Sequence, residues 1–142
     1  MAPYEQYVEQ STLTATPLEL VRIVYRVVLE SVKDAARCVD SGDITGRGKA
    51  VTKATDGILQ LLSSLNHEQG GAISRNLAEL YGYMASRLLQ GHLDQDRATF
   101  EEVEKLVTTL LEAWEGLDVP STEQPNPYGA IAEVHTPICA SF

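Results

Sequence analysis

Apolar residues recur along this chain in four stretches, each with alternating steps of three and four residues. That spacing keeps them on one side of an α-helix. The first stretch runs from Leu18 to Val39, whereas a β-strand has about six residues. The four apolar stripes consist of Val21, Tyr25, Val28, Val32, Ala35 and Val39; Val51, Ala54, Ile58, Leu61 and Leu65; Ile73, Leu77, Leu80, Met84 and Leu88; and Phe100, Val103, Val107, Leu110, Trp114 and Leu117. The pattern therefore predicts four helices that pack lengthwise against one another.

The first helix has a well-marked start. Thr16 is the predicted N-cap, Pro17 takes the first helical position, and Glu19 follows three residues after the cap, as a capping box requires. Residues 1–15 show neither strand alternation nor a helical stripe long enough to be stable alone. We therefore expect an extended leader that docks on the bundle or on a partner.

Glycines predict the first two connections. Gly42, Gly46 and Gly48 predict a loop that blurs the start of the second helix, which we expect to end near Asn66. The consecutive glycines 70 and 71 predict the turn before the third helix.

Gly91 and Asp94 separate the third helix from the fourth, with Asp94 as the expected N-cap. After Val119 the helical pattern stops, because four prolines follow and residues 119–142 contain no lysine or arginine. The predicted organisation is a leader over residues 1–15, a bundle over residues 16–118 and a disordered tail over residues 119–142. The short connections predict an all-α fold, an antiparallel up-and-down four-helix bundle.

Charge and composition narrow the function classes. The chain has 142 residues and a formal net charge of -9, which repels the phosphates of nucleic acids and anionic membranes. No apolar run approaches the roughly 18 residues that a membrane span needs, and residues 1–10 lack the pattern of a secretory signal. We therefore expect a cytoplasmic protein with no nucleic-acid partner and no membrane insertion. Cys38 and Cys139 stand apart and predict two free thiols.

Two charged or glycine-rich patterns have structural explanations. The basic residues of the first helix alternate with acidic ones, which predicts a solvated surface; they are Arg22, Arg26, Lys33 and Arg37. Residues 42–49, GDITGRGK, look like a phosphate-binding loop, but Ala50 replaces the hydroxyl residue that follows the lysine, and no strand precedes them. We expect a turn and a frayed helix start there.

The sequence offers little evidence for a catalytic site or a metal-binding site. The histidines at 67, 92 and 135 have no second ligand at the spacing of a helical metal site, so we predict surface histidines and no metal or cofactor. Glu101 and Glu102 are expected in the first turn of the fourth helix, where they suit the helix dipole. The residues indicate a binding module and not an enzyme. The catalytic alternative is a phosphotransfer or signalling bundle that acts through His92.

Several short motifs occur in a familiar order: Pro3-Tyr4-x-x-Tyr7, Thr14-Ala15-Thr16-Pro17-x-Glu19-Leu20 and Tyr25; then Gly70-Gly71 and Asn76-Leu77-x-x-Leu80-Tyr81-x-Tyr83-Met84; then Asp96, Glu102-Val103 and Ala113-Trp114. Together they resemble the FliS-type flagellar secretion chaperones, from Pro3 to about Leu117. Arg26 and Val27 depart from the acidic and small residues usual in that family.

The resemblance implies a four-helix bundle and a cytoplasmic, non-enzymatic chaperone. Such a protein binds the disordered C-terminal segment of flagellin, prevents its premature polymerisation and delivers it to a component of the flagellar export gate, in type III secretion. An amphipathic segment of this kind can bind a bundle as helices in grooves. A homodimer is a further expectation, and a purely structural helical oligomer is a third alternative.

The resemblance also suggests a binding site. We expect the flagellin-binding groove at or beside residues of the third helix, namely Asn76, Leu77, Leu80, Tyr81, Tyr83 and Met84. For Leu77, Leu80 and Met84, a place in the bundle core is the competing explanation. We expect Tyr4 and Tyr7 to form an N-terminal lid that covers the groove until flagellin displaces it.

Overall fold

The computed structural model describes residues 16–117 and contains, within that range, four α-helices and no strand. They are α1 (Pro17–Ser41), α2 (Ile44–Ser63), α3 (His67–Asp94) and α4 (Arg97–Glu115). Each helix packs on its neighbours in chain order, and α4 closes the ring by packing on α1. The predicted all-α, up-and-down bundle is confirmed.

The direction of the helices defines two ends of the bundle. The side chain of Arg22, near the start of α1, donates hydrogen bonds to the carbonyl of Trp114 in the last turn of α4 and to that of Leu117 just beyond it. We call this the lower end; the α2–α3 connection also lies there. The α1–α2 and α3–α4 connections lie at the opposite, upper end, where Arg97 at the start of α4 forms an ion pair with Asp40 near the end of α1.

The start and end of α1 follow local capping chemistry. The hydroxyl of Thr16 accepts a hydrogen bond from the backbone N–H of Glu19 at 3.2 Å, and Pro17 occupies the first turn, so the predicted start is confirmed. Gly42 ends α1 with φ 71°, a left-handed conformation that glycine adopts without steric cost.

The core contains the predicted stripes of α1, α2 and α4 almost unchanged. The buried side chains include Tyr25, Val28, Ile58, Leu61, Phe100, Val103, Val107 and Trp114. Three positions near the ends of these stripes differ: Val39 and Leu117 are only half-buried, and Leu111 is buried where Leu110 was expected.

The predicted boundaries need two corrections. The second helix begins at Ile44 and contains Gly46 and Gly48, because Asp43 caps it by accepting a hydrogen bond from the N–H of Gly46 at 2.9 Å. The predicted N-cap of the fourth helix, Asp94, is instead the last residue of α3. The cap is Asp96, which accepts from the N–H of Ala98.

The glycine pair in α3 produces a kink and not a loop. Gly71 has φ 52° and ψ -124°, which interrupts the helical backbone inside α3. The hydroxyl of Ser74 donates to the carbonyl of Asn66 at 2.8 Å across this break. As a result Ser74 is fully buried, and Ile73, predicted to belong to the apolar stripe, is exposed.

None of the helices within residues 16–117 combines the length and the apolar character needed to cross a membrane.

Candidate binding face on helices three and four

The residues predicted as a groove on the third helix divide into two sets. Tyr81 is 0% exposed, and Leu77 and Met84 are buried with it in the bundle core. Asn76 and Tyr83 are exposed, and Leu80 is half-buried at the border of the core. The structure thus places half of the set at the surface and half beneath it. Tyr4 and Tyr7, the expected lid, lie outside the described residues.

Tyr81 was predicted at or beside the groove, but it lies at the centre of the bundle. Its hydroxyl lies 2.5 Å from that of Tyr25, and the two ring centroids are 6.4 Å apart. The centroid of the Trp114 ring lies 6.2 Å from that of Tyr25. Burial raises the pKa of Tyr25, and hydrogen bonds with Tyr81 and Trp114 offset part of that rise. These aromatic residues join α1, α3 and α4 directly beneath the exposed part of α3.

A charged cluster connects α3 to α4 at the surface. The hydroxyl of Tyr83 donates to Glu102, and Nε of Arg87 donates to the other oxygen of that carboxylate at 2.9 Å. The hydrogen bond from Tyr83, and after it the one from Arg87, hold the pKa of Glu102 below its ordinary value. The hydrogen bond to Glu102 also raises the pKa of Tyr83. Glu102 is therefore a cross-helix partner and not, as predicted, a first-turn residue that only suits the helix dipole.

Apolar side chains continue this surface towards the lower end. Because α3 and α4 run in opposite directions, Leu80 lies one turn below Tyr83 and Leu106 lies one turn below Glu102, at the same level. Leu106 and Leu110 are half-buried and pack against the core, as Leu80 does. We call this surface the α3–α4 face; it comprises Asn76, Leu80, Tyr83 and Arg87 of α3 with Glu102, Leu106 and Leu110 of α4.

The α3–α4 face is shallow and has the character of a surface for another polypeptide. A depression of about 410 Å³ on the outer side of α4 shares Glu102 and Leu106 with it and also contains Lys105 and Thr109. A mixed surface of tyrosine, leucine and paired charges suits an amphipathic segment more than a small molecule, which needs an enclosed pocket. Within residues 16–117 no group of histidine, cysteine or carboxylate side chains could hold a metal ion.

The predicted solvated surface of α1 holds for three of its four basic residues. Arg26 pairs with Glu115, Lys33 with Glu30 and Arg37 with Asp34, in exposed or partly exposed pairs. Arg22 differs, because it is part-buried and caps the end of α4. Its distant carbonyl partners gave no signal in the sequence.

His92, the residue of the phosphotransfer alternative, lies near the end of α3 and is half-buried. Its Nδ1 accepts a hydrogen bond from Nε of Arg47 at 3.0 Å. Arg47 is only 4% exposed and belongs to α2, within the stretch that resembled a phosphate-binding loop. In that stretch Gly42 and Asp43 form the turn between α1 and α2, as expected, but residues 44–49 form a regular helix start and not a frayed one.

The fold defines the class of this protein: a small antiparallel four-helix bundle with an extended, partly apolar face on its third and fourth helices. The family model of the flagellar protein FliS matches residues 1–121. The chain therefore belongs to the FliS family.

Curated relatives agree with this assignment. The flagellar secretion chaperone FliS of Salmonella typhimurium strain LT2 is 35% identical over 118 residues, which cover 82% of this chain and 87% of the relative. The FliS of Escherichia coli K12 is 34% identical over 82% of this chain and 88% of the relative. The FliS of Bacillus subtilis strain 168 is 32% identical over 79% and 83%.

Proposed function

We propose that this protein is a flagellar export chaperone that binds the disordered C-terminal segment of flagellin in the cytoplasm. It keeps that segment from polymerising prematurely and delivers it to a component of the export gate. The observation that carries the proposal is the match of the FliS family model to residues 1–121. The protein acts by binding, without catalysis and without a cofactor.

The α3–α4 face supports the proposal physically. An amphipathic client segment can place apolar side chains against Leu80, Leu106 and Leu110, and polar groups against the Tyr83–Glu102 pair. A client that folds as it binds loses chain entropy, so it needs a long contact surface. The α3–α4 face extends over several helical turns and meets that need.

The two parts of the predicted groove take different roles in this proposal. Asn76, Leu80 and Tyr83 contact the client, whereas Leu77, Tyr81 and Met84 fix the position of α3 from beneath. The hydroxyl contact between Tyr25 and Tyr81 fixes the position of α3 relative to α1, and with it the position of the exposed residues of α3. The client thus meets a surface that is already formed, which reduces the ordering that binding requires.

Titration calorimetry with a peptide of the flagellin C-terminal segment tests the binding. We expect a 1:1 complex with a dissociation constant in the micromolar range or below, and no binding at micromolar concentration would contradict the proposal. Tyr83→Ala and Leu80→Ala should each weaken binding about tenfold. Leu59→Ala is the matched control, because Leu59 lies on α2 and is 49% exposed while Tyr83 is 45% exposed.

The N-terminal lid is a separate part of the proposal. If Tyr4 and Tyr7 cover the client surface in the free protein, deletion of residues 1–10 should raise the affinity for the peptide or cause self-association. Calorimetry and sedimentation measure these two effects, and sedimentation also measures whether the full chain is a homodimer. Unchanged values in both experiments would exclude a lid.

The FliS family match favours the chaperone over the phosphotransfer alternative. His92→Ala should leave flagellin binding unchanged, since His92 lies outside the α3–α4 face and uses Nδ1 to accept a hydrogen bond from Arg47.

A further inference from the structure

A second surface depression lies between α2 and α3 at the upper end of the bundle. It encloses about 680 Å³ and is lined by residues that include Ile44, Gly48, Lys49, Val51, Leu89 and His92. Ile44 is 62% exposed and Leu89 is 55% exposed, which is high for side chains of this size. We call this depression the α2–α3 groove. It lies on the opposite side of α3 from the α3–α4 face.

The charge of the α2–α3 groove is opposite to that of the whole protein. Lys49, Lys53 and His92 line it, and no carboxylate from residues 16–117 does, although the chain as a whole carries a net charge of -9. An apolar surface with a basic rim fits a segment that combines aliphatic or aromatic side chains with carboxylates.

The chain itself contains such a segment. Residues 118–142 include the three acidic residues Asp118, Glu123 and Glu133 and no lysine or arginine. The same stretch carries large apolar residues, which are Val119, Tyr128, Ile131, Val134, Ile138 and Phe142. The FliS family model ends at residue 121, so most of this segment is an addition to what the family shares.

The segment is long enough to reach the groove. It leaves α4 at the lower end, and α4 with its 19 residues is about 28 Å long. An extended chain spans about 3.3 Å per residue, so residues 118–142 extend over roughly 80 Å. That length covers the height of the bundle and the path around it to α2.

We propose that residues 122–142 bind in the α2–α3 groove of the same molecule. Their apolar side chains cover Ile44 and Leu89, and Glu123 and Glu133 face the basic rim at Lys49 and His92. Because the segment is tethered, its effective concentration at the groove is of millimolar order, so weak contacts are enough to keep it bound. This proposal does not depend on the identity of the client.

Disulfide trapping in the full chain tests the proposal. The sequence has two cysteines, so a Cys38→Ser background leaves Cys139, in the segment, as the one native thiol. Thr45→Cys, Thr52→Cys and Leu89→Cys are then made one at a time, since all three residues are exposed and line the groove. Oxidised glutathione is added, and the rate of the intramolecular disulfide is followed by mass spectrometry.

Thr109→Cys on α4 is the matched control. Thr109 is exposed and bonds the carbonyl four residues earlier, as Thr52 does, at 2.9 Å in both cases. We expect at least one groove position to form the disulfide with Cys139 about tenfold faster than position 109, because the bond requires the two Cα atoms to come within about 7 Å. Adding Lys49→Glu should reduce that advantage.

Two results would overturn the proposal. One is a rate at every groove position no higher than at position 109, in proteins whose thermal midpoints match the Cys38→Ser parent. The other is disulfide formation only between two chains, since that would assign the groove to a second copy of the protein. The use of three groove positions keeps the test valid if one variant fails to fold.

Discussion

The hydroxyl groups of Tyr25 on α1 and Tyr81 on α3 lie 2.5 Å apart in the centre of the bundle, between two helices that are diagonal to each other. Each hydroxyl is buried, so each depends on a protein partner in place of water. The pair therefore fixes the distance across the bundle in a way that apolar packing alone does not.

Removing one of these hydroxyls should destabilise the bundle. Tyr25→Phe or Tyr81→Phe should each lower the free energy of unfolding by about 0.5–1.5 kcal/mol, because each removes the buried hydroxyl contact between α1 and α3. The double variant should cost less than the sum of the two, since each single variant already breaks the one contact that the two hydroxyls share. Urea denaturation of the four proteins measures the coupling, and strictly additive values would contradict it.

Arg22 and Arg37 occupy the same helix but should differ in their contribution to stability. Arg22 donates to two carbonyls at the end of α4, whereas Arg37 forms an exposed pair with Asp34 three residues away. Arg22→Ala should cost about 1–2 kcal/mol, and Arg37→Ala at most about 0.5 kcal/mol. Thermal denaturation provides the comparison, and equal losses would show that the cap on α4 does not stabilise the fold.

Replacing either of two helical glycines by alanine should change the stability of the protein, but in opposite directions. A Cβ atom at Gly57 would lie 2.5 Å from Cγ2 of Val28, while nothing lies within 4 Å of a Cβ at Gly82. Gly57→Ala should destabilise the protein by about 1–3 kcal/mol through overpacking of α1 on α2. Gly82→Ala should stabilise it by about 0.5–1 kcal/mol through the better helix propensity of alanine. Chemical denaturation of both variants checks the two signs.

The ion pair of Glu102 should make stability depend on pH in the acid range. The folded-state pKa of Glu102 is lowered from its ordinary 4.5 by Tyr83 and Arg87, so the folded state favours the carboxylate. The resulting stabilisation is complete above pH 4.5 and is lost as the pH falls through the lower, folded-state pKa. Urea denaturation of the native chain and Glu102→Gln between pH 7 and pH 3, roughly the range of carboxylate titration, should show curves that converge in acid. A constant difference over that range would contradict the prediction.

Most of the core was predictable from the sequence because three of the four helices have no break in their backbone. The apolar residues of each therefore stay on the same side of the helix from one turn to the next. Tyr25, Ile58 and Val103 are examples, each inside its stripe and almost fully buried. The third stripe was harder, because the non-helical backbone at Gly71 changes the phase at its start. Ser74 is buried there and Ile73 is exposed, which no apolar spacing could indicate.

The candidate site was predictable only in part. The family resemblance directed attention to the third helix, and Tyr81 was predicted beside the groove because it flanks the apolar stripe of that helix. Its partner Tyr25 is 56 residues away in the sequence, so nothing local showed that the hydroxyl would be satisfied inside. The link between Tyr83 and Glu102 was missed for the same reason, since their contact depends on how α3 and α4 are paired.

The contact of Arg22 with the end of α4 also has a mechanical consequence. Arg22, near the start of α1, contacts the end of α4 at the lower end, so a force applied between residues 16 and 117 acts across the two helices and not along them. Such a force separates α1 from α4 one helical turn at a time, beginning at Arg22. At each moment only the contacts of one turn bear the force. The bundle should therefore yield to a small pulling force even though its core is well packed.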